Sequence, residues 1–107
     1  KPIGSFQNSR FLLAELATEA TAVRVLTDEF IRLHLDEKLT ADQAAMAKWW
    51  TTEAQVKLID RCVQLHGGYG YMREYNVARA YLDARVLTND AGTTEIMKEI
   101  IGRGLGV

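Results

Sequence analysis

The residues able to do chemistry fall in two clusters. Gly67-Gly68-Tyr69-Gly70 invites comparison with the glycine-rich turn that cradles a dinucleotide pyrophosphate. The comparison fails, because Arg73 stands where the third glycine is needed and the preceding residues have helical rather than strand patterning. What remains is a helix end followed by glycines that let another group approach the backbone. A plain helix stop fits the same residues. The second cluster, Gly92-Thr93-Thr94-Glu95, combines backbone amides, hydroxyls and a helix N-terminus, which suits a phosphate or a sugar. Taken alone it also reads as a capped helix. His34 and His66 lie far apart and outside any ligand spacing, so no metal site is indicated. Cys62 is the single cysteine and cannot close an intrachain disulfide; with no orienting base beside it, it reads as an inert, partly buried thiol in a reducing compartment.

Helices must position these clusters. Pro2 is the only proline, which leaves the remaining chain free to form long helices. Leu12, Leu16, Ala20, Val23, Leu26, Phe30 and Leu33 recur at steps of three and four and make one apolar stripe. The first helix is expected from Ser5, its N-cap, to Leu35, roughly 45 Å at 1.5 Å per residue. Thr40-Ala41-Asp42-Gln43 reads as a capping box that opens a second helix. Its apolar face is Ala41, Ala45, Trp49, Val56, Ile59 and Val63, with one of Trp49 and Trp50 in the core and the other at a subunit or domain contact. Gly67-Gly68 ends it. A third helix is expected from Asn76, as cap, to Leu87, with Val77, Ala80, Tyr81 and Ala84 inward and Arg79 within reach of Asp83. A last helix begins near Thr93, and Gly102, Gly104 and Gly106 loosen its end. There is no repeat, low-complexity tract or strand pattern, so the fold class is all-α.

At 107 residues the chain has room for one domain with one core. Its net charge of -1, with both signs interspersed, gives no reason to expect nucleic acid or an anionic membrane surface as partner. No stretch reaches the ~20 apolar residues that span a bilayer, and no signal-peptide pattern opens the chain, so membrane insertion is not expected. The first residue is Lys1 rather than Met, which suggests a fragment or a processed product.

Read together, these segments resemble the acyl-CoA dehydrogenase family. The resemblance rests on Pro2-Ile3-Gly4-Ser5-Phe6-Gln7, Ala44-Ala45-Met46-Ala47-Lys48, Gln64-Leu65-His66-Gly67-Gly68-Tyr69-Gly70-Tyr71 with Glu74-Tyr75, Asp83-Ala84-Arg85, and Gly92-Thr93-Thr94-Glu95-Ile96. It covers essentially the whole chain, in the order of the family's C-terminal helical domain, and is strongest toward the long-chain and isovaleryl branches. It implies an up-and-down helical bundle over residues 1-107 that lacks the domain's usual first helix, as one piece of a longer polypeptide. It further implies FAD contacts from Gln7, Gln64, Leu65, His66, Gly67, Gly68, Thr93, Thr94 and Glu95, several of them to the cofactor of a neighbouring subunit. Ala91 and Gly92 would lie beside the acyl thioester. The implied activity is α,β-dehydrogenation of acyl-CoA in fatty-acid or branched-chain degradation, with an electron-transfer flavoprotein as partner. A homodimer or homotetramer is implied, in the bacterial cytoplasm or the mitochondrial matrix.

One departure matters for the chemistry. Many members carry the catalytic Glu immediately before the Gly-Thr pair, where this chain has Ala91, and a methyl group accepts no proton. Asp90 is shorter and displaced by one position, so it should aim elsewhere. The two branches named above place the base on an upstream helix, which puts it before Lys1 and leaves no catalytic residue in this chain. Asn76 stands where the family often has proline, a change that touches helix geometry more than chemistry. By itself the chain should therefore be inactive and should self-associate through the stripe that the missing helix would cover. Two other readings stay open: a homologue that has lost catalysis and serves as a binding or scaffold protein, and a stand-alone helical interaction module.

Overall fold

Only residues 36–40 join the first two helices, a link so short that the helices must fold back on one another. The computed structural model describes residues 1–107 and contains four α-helices and no strand: α1 Gln7–Leu35, α2 Ala41–His66, α3 Asn76–Arg85 and α4 Thr94–Gly104. Short 3-10 turns at Ile3–Ser5, Gly67–Tyr71 and Val86–Thr88 connect or flank them. The all-α bundle expected from the periodicity is the fold observed.

α2 is the spine. α1 packs antiparallel along it, and an ion pair between Lys57 and Glu19 at 2.9 Å marks their register. α3 packs on the second half of α2, and α4 runs back along the first half, from Thr94 beside Glu53 to Gly104 beside Asp42. No other pair of helices shares a substantial contact. The molecule is correspondingly elongated, 51 × 27 × 24 Å.

Each helix boundary has a local cause. The capping box forms as expected: the Gln43 amide donates to Thr40 Oγ1 at 3.1 Å, and the Thr40 amide donates to Gln43 Oε1 at 3.0 Å. Ser5, by contrast, does not cap α1. Its hydroxyl donates to the Pro2 carbonyl at 2.7 Å inside the 3-10 turn, and the helix begins after Phe6, which has no side-chain acceptor to offer. Asn76 is likewise the first helical residue rather than the cap, and its Oδ1 accepts from Arg79. That bond, with Arg79 donating to the Arg73 carbonyl at 2.7 Å, diverts the guanidinium from Asp83, so the Arg79–Asp83 pair does not form. α3 ends at Arg85, and a 3-10 turn carries the chain on to Thr88. α4 continues through Gly102 and Gly104, so those glycines do not fray it; only Gly106, at φ 82°, lies past its end.

The core is thin. Leu16, Ala45, Ala78 and Ala84 are its only buried apolar side chains, and none is wholly sealed from solvent, while Phe11, Val25, Ile31 and Leu82 face outward. Four helices laid on one spine cover one face of each and leave the others bare. Neither tryptophan is in the core: Trp49 is half-buried beneath the Lys98 ammonium, 4.7 Å from the ring centroid, and Trp50 is 36% exposed.

Candidate functional site

The two clusters sit at different levels of α2. Gln64, Leu65 and His66 form its last turn, and Gly67 follows as C-cap at φ 61°. That left-handed value favours glycine, and the space where a β-carbon would stand is empty at both Gly67 and Gly68. Both glycines and the side chains of Gln64 and His66 are exposed, while Leu65 is half-buried. His66 Nδ1 lies 2.7 Å from the Cys62 carbonyl, an acceptor, so this nitrogen carries the proton of the bond. Gln7, the first residue of α1, is exposed and lies at the same end of the hairpin, as the antiparallel register requires. Cys62 is half-buried and free.

Gly70 serves a different purpose from its neighbours. It is buried, and a β-carbon there would stand 2.5 Å from the Val63 carbonyl oxygen and 3.2 Å from the His66 β-carbon. The turn folds back against α2 so closely that only hydrogen fits.

The second cluster lies about 16 Å lower, because Thr94 bonds to Glu53, eleven residues before Gln64 on the same helix. Thr93 is the N-cap of α4 and accepts from the Ile96 amide at 3.3 Å, as the capped-helix reading predicts. Thr94 is buried and donates its hydroxyl to Glu53 Oε1 at 2.7 Å, which leaves its backbone amide as its only free donor. Glu95 is exposed in the first turn. Before them, Ala91 at φ 53° and Gly92 at φ 113° are consecutive residues with positive φ. For alanine the left-handed conformation costs roughly 1–2 kcal/mol, so surrounding contacts must hold it.

Those contacts come from Lys48, a residue whose part in the site was not evident from sequence. Its Nζ donates to the Leu87 carbonyl at 2.7 Å and to the Gly92 carbonyl at 2.5 Å, closing the loop between them. Asp90 is exposed, with its backbone amide donating to the Val86 carbonyl. No group of three or more His, Cys, Asp or Glu gathers to hold a metal, and no helix is long and apolar enough to cross a membrane.

The family model described as "Acyl-CoA dehydrogenase, C-terminal domain" matches residues 1–106. The chain belongs to the acyl-CoA dehydrogenase family. Among its curated relatives, the mouse mitochondrial long-chain specific acyl-CoA dehydrogenase is 46% identical over 96% of this chain and 24% of its own length. The caffeyl-CoA reductase-Etf complex subunit CarC of Acetobacterium woodii is 37% identical over 94% of this chain and 27% of its own. Among solved structures, an acyl-CoA dehydrogenase from Geobacillus kaustophilus superposes with a TM-score of 0.96 at 45% identity, covering all of this chain and 28% of that one. The chain thus spans about a quarter of the length of the curated relatives it matches. Within the acyl-CoA dehydrogenase C-terminal domain, the exposed double-glycine end and the half-buried Gly92 are separated along one helix.

Proposed function

We propose that this chain is the C-terminal helical domain of an FAD-dependent acyl-CoA dehydrogenase that introduces an α,β double bond into an acyl-CoA thioester. The observation that carries the reading is the match of residues 1–106 to that domain of the family. A bound flavin would supply the acceptor for the hydride that leaves the β-carbon.

The residues present fit such a group. At Gly67 and Gly68 nothing stands between the backbone and an approaching ring or phosphate. Gln7 and Gln64 carry exposed amides able to donate and accept, and the exposed His66 ring stands beside Gly67 with its Nε2 free of protein partners. At the other cluster the first-turn amides of α4, with the Thr93 hydroxyl beside them, suit a polar or anionic moiety. Thr94 contributes there through its amide, because its hydroxyl is engaged by Glu53. The separation of about 16 Å along α2 suits contacts to distant parts of one long cofactor, or to two cofactors in neighbouring subunits. Ala91 and Gly92 line the acyl thioester, and Ala91 leaves room there without supplying a base. Proton abstraction therefore falls to a carboxylate in a preceding segment of a longer polypeptide.

The bare apolar faces of α1 and α3, with Phe11, Val25, Ile31 and Leu82, support burial against other domains or subunits. A homodimer or homotetramer is the assembly proposed, with an electron-transfer flavoprotein as redox partner and fatty-acid or branched-chain degradation as the setting.

The experiment is to purify the full-length protein that contains this chain, record its visible spectrum, and titrate it anaerobically with acyl-CoA thioesters. Flavin absorbance that bleaches on acyl-CoA addition is expected. A colourless protein that cannot be reconstituted with FAD overturns the reading. Ala91 favours one alternative, a homologue without catalysis that acts as a binding or scaffold protein. Bound flavin that no acyl-CoA reduces, together with a preceding segment lacking a Glu able to reach the substrate, is the outcome that supports it.

A further inference from the structure

We infer that Lys48 is a positioning residue for dehydrogenation, fixing the Ala91–Gly92 segment against the acyl thioester; the inference rests on the function proposed above. Lys48 sits in the first third of α2, and its ammonium reaches out of the helix to two carbonyl oxygens, that of Leu87 at 2.7 Å and that of Gly92 at 2.5 Å. The two acceptors bracket the loop, so one cation holds both of its ends. Hydrogen bonds from a charged donor are shorter and stronger than neutral ones, and half-burial of Lys48 reduces competition from water.

The loop needs such a fixture. Ala91 is left-handed, a conformation that a residue with a β-carbon keeps only where its surroundings impose it, while Gly92 takes its φ of 113° freely. The neighbouring brace between Thr94 and Glu53 anchors the start of α4 and leaves the loop itself untouched. None of the ion pairs in the molecule involves Lys48, so its charge is directed wholly at the loop carbonyls.

The test compares Lys48→Met, Lys48→Arg and Thr40→Ala in the full-length flavoprotein. Thr40→Ala removes the α2 capping box and so reports what loss of stability does by itself. Lys48→Met is expected to keep the wild-type flavin-to-protein ratio, to lower kcat by roughly tenfold to a hundredfold, and to change KM less. It should also weaken the perturbation of the flavin spectrum by an acyl-CoA analogue that cannot be dehydrogenated. Lys48→Arg, which can still donate to two carbonyls, should recover part of both. If Lys48→Met and Thr40→Ala lower thermal stability alike and neither alters kcat nor the analogue titration, Lys48 is merely structural and the inference is overturned. A wild-type protein that carries no flavin removes this inference together with the function it rests on. Active wild type with an equally active Lys48→Met removes this inference alone.

Discussion

The two ends of the candidate site are built on opposite plans. Around Gly92 the chain closes its own loop: Lys48 ties two carbonyls, Glu53 holds Thr94, and Thr93 caps the helix that follows. Around Gly67 and Gly68 it leaves the backbone bare, with empty space at both β-carbon positions. One region is finished by its own residues and presents a fixed shape. The other presents open backbone. The contrast matches the two roles proposed above, cofactor contact at one end and a fixed loop at the other.

Substitutions at the glycines should separate these plans most sharply. Gly70→Val should be the most disruptive change, costing about 3 kcal/mol or more, because its side chain is driven into the Val63 carbonyl where no flexible group can yield. Thermal or denaturant unfolding would measure it, and a loss below about 1 kcal/mol would show that the turn can move off α2. Gly67→Ala should cost roughly 1–2 kcal/mol through its left-handed backbone alone. Gly68→Ala meets nothing and should leave stability nearly unchanged, yet in the full-length protein it should lower flavin occupancy if this backbone is where the cofactor approaches. Normal occupancy in Gly68→Ala would erase the distinction drawn between the two ends.

The braced region makes a smaller demand. Thr94→Val removes a buried hydroxyl that donates to Glu53, a carboxylate water can still reach, so a loss of about 1 kcal/mol is expected in unfolding experiments. Smallest of all is an effect remote from both ends. Arg32 donates to Glu29 at 2.5 Å, and this bond holds the Glu29 carboxyl below its ordinary pKa. A lowered folded-state pKa gives stability that is present above the ordinary carboxylate value and lost as pH falls through the lowered one. Both side chains are exposed, so Glu29→Gln should shift Tm only slightly at neutral pH. The shift should vanish in acid, once the wild-type carboxyl is protonated.

Legibility from sequence followed the range of the interactions. The capping box, the helical stripes and the double-glycine stop were readable because each is decided within a few residues; the Leu12-to-Leu33 stripe places Leu16 in the core as expected. Ser5 and Asn76 were misjudged as caps because each has a nearby competitor, the Pro2 carbonyl for one and Arg79 for the other. Lys48 belonged to a recognisable segment, but its partners lie 39 and 44 residues away, and no local pattern announces them. Gly70 was visible as one glycine among several. Its burial against Val63 is a fact of packing.

The arrangement of every helix on α2 also orders the events of folding. α1, α3 and α4 find their main partner in that one segment and hardly touch one another, so none can dock before it exists, while each can detach without dislodging the rest. Amide protons midway along α2 should therefore be the last to exchange with deuterated solvent, and the flanking helices should open in separate, shallower excursions.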